Sequence, residues 1–257
     1  SGAVIDYYLN STTSGPVALD ILDSHGQVVH HATSGGQQGE RSEVRGGRTA
    51  ARTMSLSART GLNRFVWNYR LDGPTAVPGM VIMEAQSGGP MVPPGNYQVK
   101  LTVAGKDYTA PLVVKADPRV KITQGDFEKQ YEFAVKLRDR VTEVHNTVNA
   151  IRAARATLDA QKSADASQTQ TIGSIEQQMD EIEGQLIQVA SVTRWAALVY
   201  PIELDAQYAD LMNVVESADS APPAQTYEVF QTYESKREKL MARWRSLQTE
   251  IAKLRSQ

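Results

Sequence analysis

The chain has no cysteine. Disulfides, thiolate zinc sites and cysteine nucleophiles are therefore excluded together, and with them several enzyme classes. No apolar run approaches the 18 or so residues that a membrane-spanning helix requires, and Ser1-Gly2-Ala3 does not read as a signal peptide. An excess of either charge is lacking too. The 27 basic and 29 acidic residues leave a net charge of -2, which predicts no general affinity for nucleic acid or anionic membrane, since both require a basic surface. Histidine is scarce, with four in the chain. His25 falls in a turn, His30 and His31 are neighbours on a strand and point to opposite faces, and His145 stands alone on a helix. That spacing predicts no metal site and no cofactor. The sequence also contains no Gly-x-Ser-x-Gly elbow, Walker loop, dinucleotide fingerprint or His-Glu-x-x-His helix.

What is present is enough apolar sequence for two ordinary cores. The length of 257 residues, with 41% hydrophobic and 22% charged residues, describes a globular chain of two domains. The stretch Gly61 to Gly73 alternates, with Phe65, Trp67 and Tyr69 on one parity and Arg64, Asn68 and Arg70 on the other. It reads as a central strand with one buried face, and Trp67 as a core residue. Ala3 to Leu9 and Pro16 to Leu22 are strand candidates, and Asp23-Ser24-His25-Gly26 is the turn that brings Gln27 to Thr33 back as a hairpin partner. Residues 34 to 52 are rich in Gly, Ser, Gln and Arg without period, as in an exposed loop. Arg41, Arg45, Arg48 and Arg52 fall there without the Gly-Lys-Ser/Thr ending of a phosphate cradle. Met54 to Ala58 suits a short edge strand, Met80 to Glu84 is the next strand, and Gln86 to Gly95 is a long turn. Tyr97 to Val103 and Tyr108 to Lys115 alternate across the tight turn at Ala104-Gly105-Lys106. Seven or so short strands without intervening helical pattern predict an immunoglobulin- or fibronectin-like β-sandwich over residues 1–117.

Asp117-Pro118-Arg119 marks the change to helix, because a residue before proline is held out of the α region. From Phe127 to about Gln161, apolar residues recur every three or four positions, and Lys162 to Gln170 reads as a loop. Ile172 to Val189 repeats the rhythm, Pro201 suits the first turn of a third helix through Val215, and Pro222-Pro223 precedes a closing helix with Phe230, Tyr233, Arg237, Leu240, Trp244 and Leu247 on one face. Residues 118–257 are thus expected to form an up-and-down bundle of three or four helices. A monomeric bundle uses these stripes internally; pairing with another chain is the alternative, so the expected state is monomer or weak dimer.

No catalytic constellation stands out, and no catalytic, cofactor-binding or metal-binding residue is assigned. Paired carboxylates can hydrolyse a glycosidic bond when about 5 to 10 Å apart across a cleft; Asp6, Asp20, Asp23, Asp72 and Glu84 are available, but nothing in the sequence pairs any two.

Gly2 to Leu9, Val17 to Val29, Gly61 to Arg70, Pro94-Gly95-Asn96-Tyr97-Gln98-Val99 and Asp117-Pro118-Arg119, in this order, resemble the C-terminal region of large bacterial proteins that carry an N-terminal sortilin-like, BNR-repeat β-propeller and are often labelled glycosyl hydrolases or sialidase-like. The tryptophan strand and the Pro-Gly-Asn-Tyr turn also resemble the immunoglobulin-like domain of flagellar hook-capping proteins. The propeller's Ser-x-Asp-x-Gly-x-x-Trp boxes are absent here, so no functional residue carries over. The resemblance implies a C-terminal fragment of a longer exported protein, periplasmic or secreted, whose missing propeller is the first expected partner. The expected function is a non-catalytic accessory module that mediates protein contacts. The alternative is a carbohydrate-binding module presenting Tyr7, Tyr8, Tyr69 and Tyr97, which requires coplanar aromatics in solvent. An enzyme is the third reading and needs acids converging in a cleft.

Overall fold

The computed structural model describes residues 2–35, 56–80, 88–164, 166–190 and 199–254. Among them are six strands in two antiparallel sheets, followed by four α-helices. Strands β1 (Ala3–Leu9) and β4 (Gly61–Trp67) form one sheet; β2 (Val17–Leu22), β3 (Val28–Thr33), β5 (Gly95–Val103) and β6 (Lys106–Val114) form the other, in the order β3-β2-β5-β6. By backbone proximity the chain divides into two units. One comprises Ser1–Gly73, Ser87–Tyr131 and Asp219–Ala221; the other comprises Pro74–Gln86, Glu132–Ala218 and Pro222–Gln257.

The strand unit follows the period of two. Tyr7, Leu9, Phe65 and Trp67 from one sheet and Val17, Leu19, Ile21, Val29, Tyr97 and Val99 from the other are buried in one apolar cluster. Trp67 is fully buried, donates from Nε1 to the Arg70 carbonyl at 2.9 Å and meets Tyr97 edge-on at 5.7 Å. The hairpin turns are built as their residues require. Asp23 Oδ1 accepts from the backbone N–H of His25 and of Gln27, and Gly26 takes φ +78°. Between β5 and β6 the link is Ala104 and Gly105, both at positive φ (50° and 75°), the mirror-image turn whose twist matches the flanking strands.

Several expectations need correction. The stretch from Gly61 is not a central strand: among the described residues β4 pairs only with β1. It ends at Trp67, and Tyr69 leaves the strand at φ 62° so that its carbonyl accepts from Val92 N–H. Leu56 to Ala58 form no strand, although Leu56 N–H donates to the Thr33 carbonyl; Met54 lies outside the described residues. Met80 closes a turn onto the Val77 carbonyl, and residues 81–84 lie outside the described residues.

Helix α1 (Gln124–Ala164) opens on Thr123, whose Oγ1 accepts from Asp126 N–H and donates to the Asp126 carboxylate. It runs three residues past Gln161, and a 3-10 turn at Ala166–Gln168 leads into α2 (Thr169–Leu186). The expected loop from Lys162 to Gln170 is therefore largely helical. Val189, placed by rhythm on the second helix, lies beyond its end and is exposed. Helix α3 (Leu204–Val215) begins three residues after Pro201, so that proline is outside its first turn. Helix α4 (Ala224–Leu254) follows Pro222-Pro223. All four helices feed one apolar cluster, with Leu137, Val148, Ile175, Met179, Tyr208 and Phe230 among its members.

The segment from Pro74 belongs to this cluster and not to the strands. Val77 is buried in it. Three side chains at helical spacing on α1 hold the adjoining carbonyls: His145 Nδ1 to Thr75 O at 2.5 Å, Asn149 Nδ2 to Ala76 O at 3.1 Å and Arg152 Nη1 to Pro78 O at 2.9 Å. They satisfy backbone oxygens that an irregular segment cannot pair within itself.

Candidate functional site

The candidate acids that the structure describes are each engaged locally. Asp6 accepts two parallel bonds from Arg64 (Nε–Oδ1 2.8 Å, Nη2–Oδ2 3.0 Å), which hold its carboxyl below the usual carboxylate range. Asp20 stands in a row across three strands, 2.6 Å from His31 Nδ1 and 3.0 Å from Lys100 Nζ. Burial pushes this carboxyl up, but the bonds and charges of His31 and Lys100 outweigh it and hold the group below its ordinary value. Asp23 caps its turn, and Asp72 meets His30 Nδ1 at 2.8 Å. Glu84 and Arg41, Arg45, Arg48 and Arg52 lie outside the described residues.

The histidines separate as their strand parity requires. His31 faces Asp20, while His30 stacks on Phe65 at 5.8 Å, and His25 is exposed in its turn. His145 is not alone: it is buried, with Nδ1–H donating to Thr75 O and Nε2 3.6 Å from Asp205 Oδ2 in the first turn of α3. The approach of Asp205 was illegible on the face of one helix because it comes from another. Among the described residues no group of three or more His, Asp or Glu could hold a metal ion.

The helical unit holds a second charged constellation that sequence spacing missed. Glu234 accepts from Arg140 Nε (2.9 and 3.0 Å), Arg237 Nε and Nη2 (3.0 and 3.2 Å) and the Tyr208 hydroxyl (2.6 Å), while Glu143 also pairs with both arginines. Burial pushes the Glu234 carboxyl up, but the two arginines and Tyr208 prevail and hold it down. Burial, then the hydrogen bond to Glu234, push the Tyr208 phenol well above its ordinary value. The pairs Arg140/Glu143 and Glu234/Arg237, each three apart on its helix, were the available signal. Its carboxylates and guanidinium groups pair with one another, and the Glu143 side chain is 37% exposed.

Among the hollows of the strand unit, two border both β1 and β6. One of ≈ 520 Å³ is lined by Tyr69, Met91, Pro93, Leu112, Val114 and Phe127 among others. Two acids line it, Asp117 and Asp219; Asp117 is bound by Arg119 through Nε and Nη2 and is held below the usual carboxylate range by those bonds. The second, of ≈ 340 Å³, opens between β1 and β6 over Ile5, Leu19, Leu101 and Leu112. Apolar groups make up the larger part of each lining, and the lining carboxylates Asp117 and Asp6 are held by arginines.

The outer face of the β1–β4 sheet carries exposed apolar side chains around a charged pair. Register puts Val4 opposite Val66, Asp6 opposite Arg64 and Tyr8 opposite Leu62, all on the side away from Trp67. Tyr8, Leu62 and Val4 are 67%, 69% and 55% exposed. An apolar row thus lies on each side of a bidentate ion pair. Of the four tyrosines offered for a sugar platform, Tyr8 alone is exposed; Tyr7 and Tyr97 are buried and Tyr69 half-buried. Tyr7 donates from its hydroxyl to the Ser57 carbonyl and Tyr97 to that of Pro93, as buried phenols must. No helix among the described residues is long and apolar enough to cross a membrane. In comparisons with known proteins the chain matches no family model, no curated protein and no solved structure.

Proposed function

We propose that this chain is a non-catalytic accessory module that makes protein contacts through the outer face of its β1–β4 sheet. The observation that carries the reading is the exposure of Val4, Tyr8 and Leu62 around the Asp6–Arg64 pair. Apolar side chains gathered on one solvent face around a polar pair favour association. Under this reading the strand unit is an immunoglobulin-like β-sandwich and the helices an up-and-down bundle. The two antiparallel sheets sharing one core, and the four helices sharing another, support both. In line with the family resemblance, the module is the C-terminal fragment of a larger exported, periplasmic or secreted β-propeller protein, which it supports by contact rather than chemistry. The single exposed tyrosine of the expected four weighs against a glycan platform.

The test is to express the chain together with the polypeptide that precedes it in the parent protein and to compare amide hydrogen exchange with the chain alone. Slower exchange in Ala3–Leu9 and Gly61–Trp67, with a raised melting temperature, is the expected result. Identical exchange and melting in both forms would refute the contact.

A further inference from the structure

We propose that the outer face of the β1–β4 sheet also binds a second copy of this chain, face to face, with Asp6 of each copy against Arg64 of the other. The inference rests on the contact reading above and names one occupant for that surface.

The argument is one of symmetry. The outward side chains form a grid of two columns, Val4, Asp6 and Tyr8 on β1 and Val66, Arg64 and Leu62 on β4, all exposed but the half-buried Val66, with each member paired directly across. A two-fold axis parallel to the strands and midway between them lays the β1 column of one copy over the β4 column of the other. Val4 then meets Val66, Tyr8 meets Leu62, and Asp6 meets Arg64, twice. Apolar side chains fall on apolar ones and opposite charges on opposite charges. Two sheets packed this way sit about 10 Å apart, a spacing that interdigitating side chains fill.

A two-fold axis along the cross-strand direction would instead stack Asp6 on Asp6 and Arg64 on Arg64, which is repulsive, so charge selects one arrangement. A partner surface of uniform charge would meet either Asp6 or Arg64 as a like charge. A second copy of this chain meets both as opposites. Six side chains cover well under the ~800 Å² per partner of a typical stable complex, so the association is weak and reversible, with a Kd of roughly 0.1 to 1 mM.

The experiment is sedimentation equilibrium of the whole chain up to about the upper end of that range, with backbone amide NMR shifts of β1 and β4 followed over the same concentrations. Asp6→Arg places two arginines in apposition at each contact and Arg64→Asp places two carboxylates there. Each variant alone is expected to associate about tenfold more weakly or not at all. An equimolar mixture of the two restores association. The arginine introduced at position 6 of one variant then meets the aspartate introduced at position 64 of the other, and the unchanged Arg64 of the first meets the unchanged Asp6 of the second. Leu62→Ser keeps both charges and is expected to weaken association about tenfold, which provides a test independent of charge reversal. Circular dichroism establishes that each variant is folded. A chain that stays monomeric throughout, association unchanged in the variants, or a mixture that fails to recover it would each overturn the proposal. Protection of the same strands by the preceding polypeptide, with no self-association, would overturn this inference and leave the contact reading standing.

Discussion

Glu234→Gln is the substitution that most directly tests how the helical unit is held. The Glu234 and Arg237 side chains are each 12% exposed, and Tyr208 is fully buried. The carboxylate supplies five contacts, from Arg140 Nε to both oxygens, from Arg237 Nε and Nη2 and from the Tyr208 hydroxyl, all between 2.6 and 3.2 Å. Glutamine keeps the shape but removes the charge and turns one acceptor into a donor aimed at guanidinium donors. Breaking a buried pair from one side costs about 3–5 kcal/mol. Glu143 remains to pair with Arg237 at 2.9 Å and with Arg140 at 3.2 Å, so the lower end, about 3 kcal/mol, is expected. That corresponds to a fall in Tm of roughly 6–12 °C for a chain of this size. Tyr208→Phe removes one bond and leaves the charges paired, so it should cost only about 1–2 kcal/mol.

The assay is urea and thermal unfolding followed by far-ultraviolet circular dichroism, which reads the helices. The pH dependence supplies an internal check. Because the folded state holds the Glu234 carboxyl below its ordinary value, its contribution is complete above the unfolded pKa of about 4.3 and is lost as pH falls through the lower folded value. The stability gap between wild type and Glu234→Gln should therefore close below that pH. A Glu234→Gln protein within about 0.5 kcal/mol of wild type, or a Tyr208→Phe cost equal to that of Glu234→Gln, would refute the reasoning.

The strand unit offers further tests. Ala104→Asn should stabilise by about 0.5–1 kcal/mol, since Ala104 sits at φ 50° in the position where a mirror-image turn favours asparagine before glycine; chemical denaturation reads the gain. Gly89→Ala should cost about 1–3 kcal/mol, because its Cβ would lie 2.3 Å from the Asp72 carbonyl, a backbone atom that cannot swing aside; a midpoint unchanged in urea would contradict the geometry. Asp20→Asn should flatten the pH dependence of unfolding only below about pH 4, because the lowered Asp20 carboxyl contributes above its unfolded pKa and loses that contribution as pH falls through the folded one; melts from acid to neutral pH check the sign.

The strands were most legible where alternation and a turn agreed. Ala3 to Leu9 keeps its expected bounds, and the hairpin at Ala104-Gly105 forms where period two is interrupted by a residue suited to positive φ. Alternation states which face of a strand is buried but not how many neighbours the strand has, and so Gly61 to Trp67 looked central while pairing only with β1 among the described residues. The three-four rhythm located the four α-helices among the described residues but not the 3-10 turn at Ala166–Gln168, and its ends slipped at Val189 and Pro201 because capping and packing decide the last turn. The segment holding Val77 was illegible for a different reason: its attachments are carbonyl oxygens, which carry no residue identity. The one trace of it lay on α1, where His145, Asn149 and Arg152 form a polar stripe at helical spacing. The candidate contact face was legible in part, since the parity that buries Trp67 turns Leu62 and Arg64 outward; that Tyr8 and Asp6 lie beside them followed only from the register of β1 with β4.

The placement of charge explains why one set of ion pairs fixes structure and another leaves a surface reversible. In the helical unit Arg140 reaches Glu234 and Arg152 reaches Glu183, each carboxylate nearly buried. Sliding a helix by one turn moves these groups about 5.4 Å and leaves charge unpaired in an apolar core, so the pairs penalise wrong registers more than they add stability to the right one. On the β1–β4 sheet the Asp6–Arg64 pair is exposed and complete within the single chain. A lone chain therefore has no unsatisfied charge on that face, and association exchanges one ion pair in each copy for equivalent ones across the contact with little net electrostatic gain. The affinity must then come from Val4, Tyr8, Leu62 and Val66, whose small area sets a low ceiling, while the charges decide orientation and exclude mismatched partners.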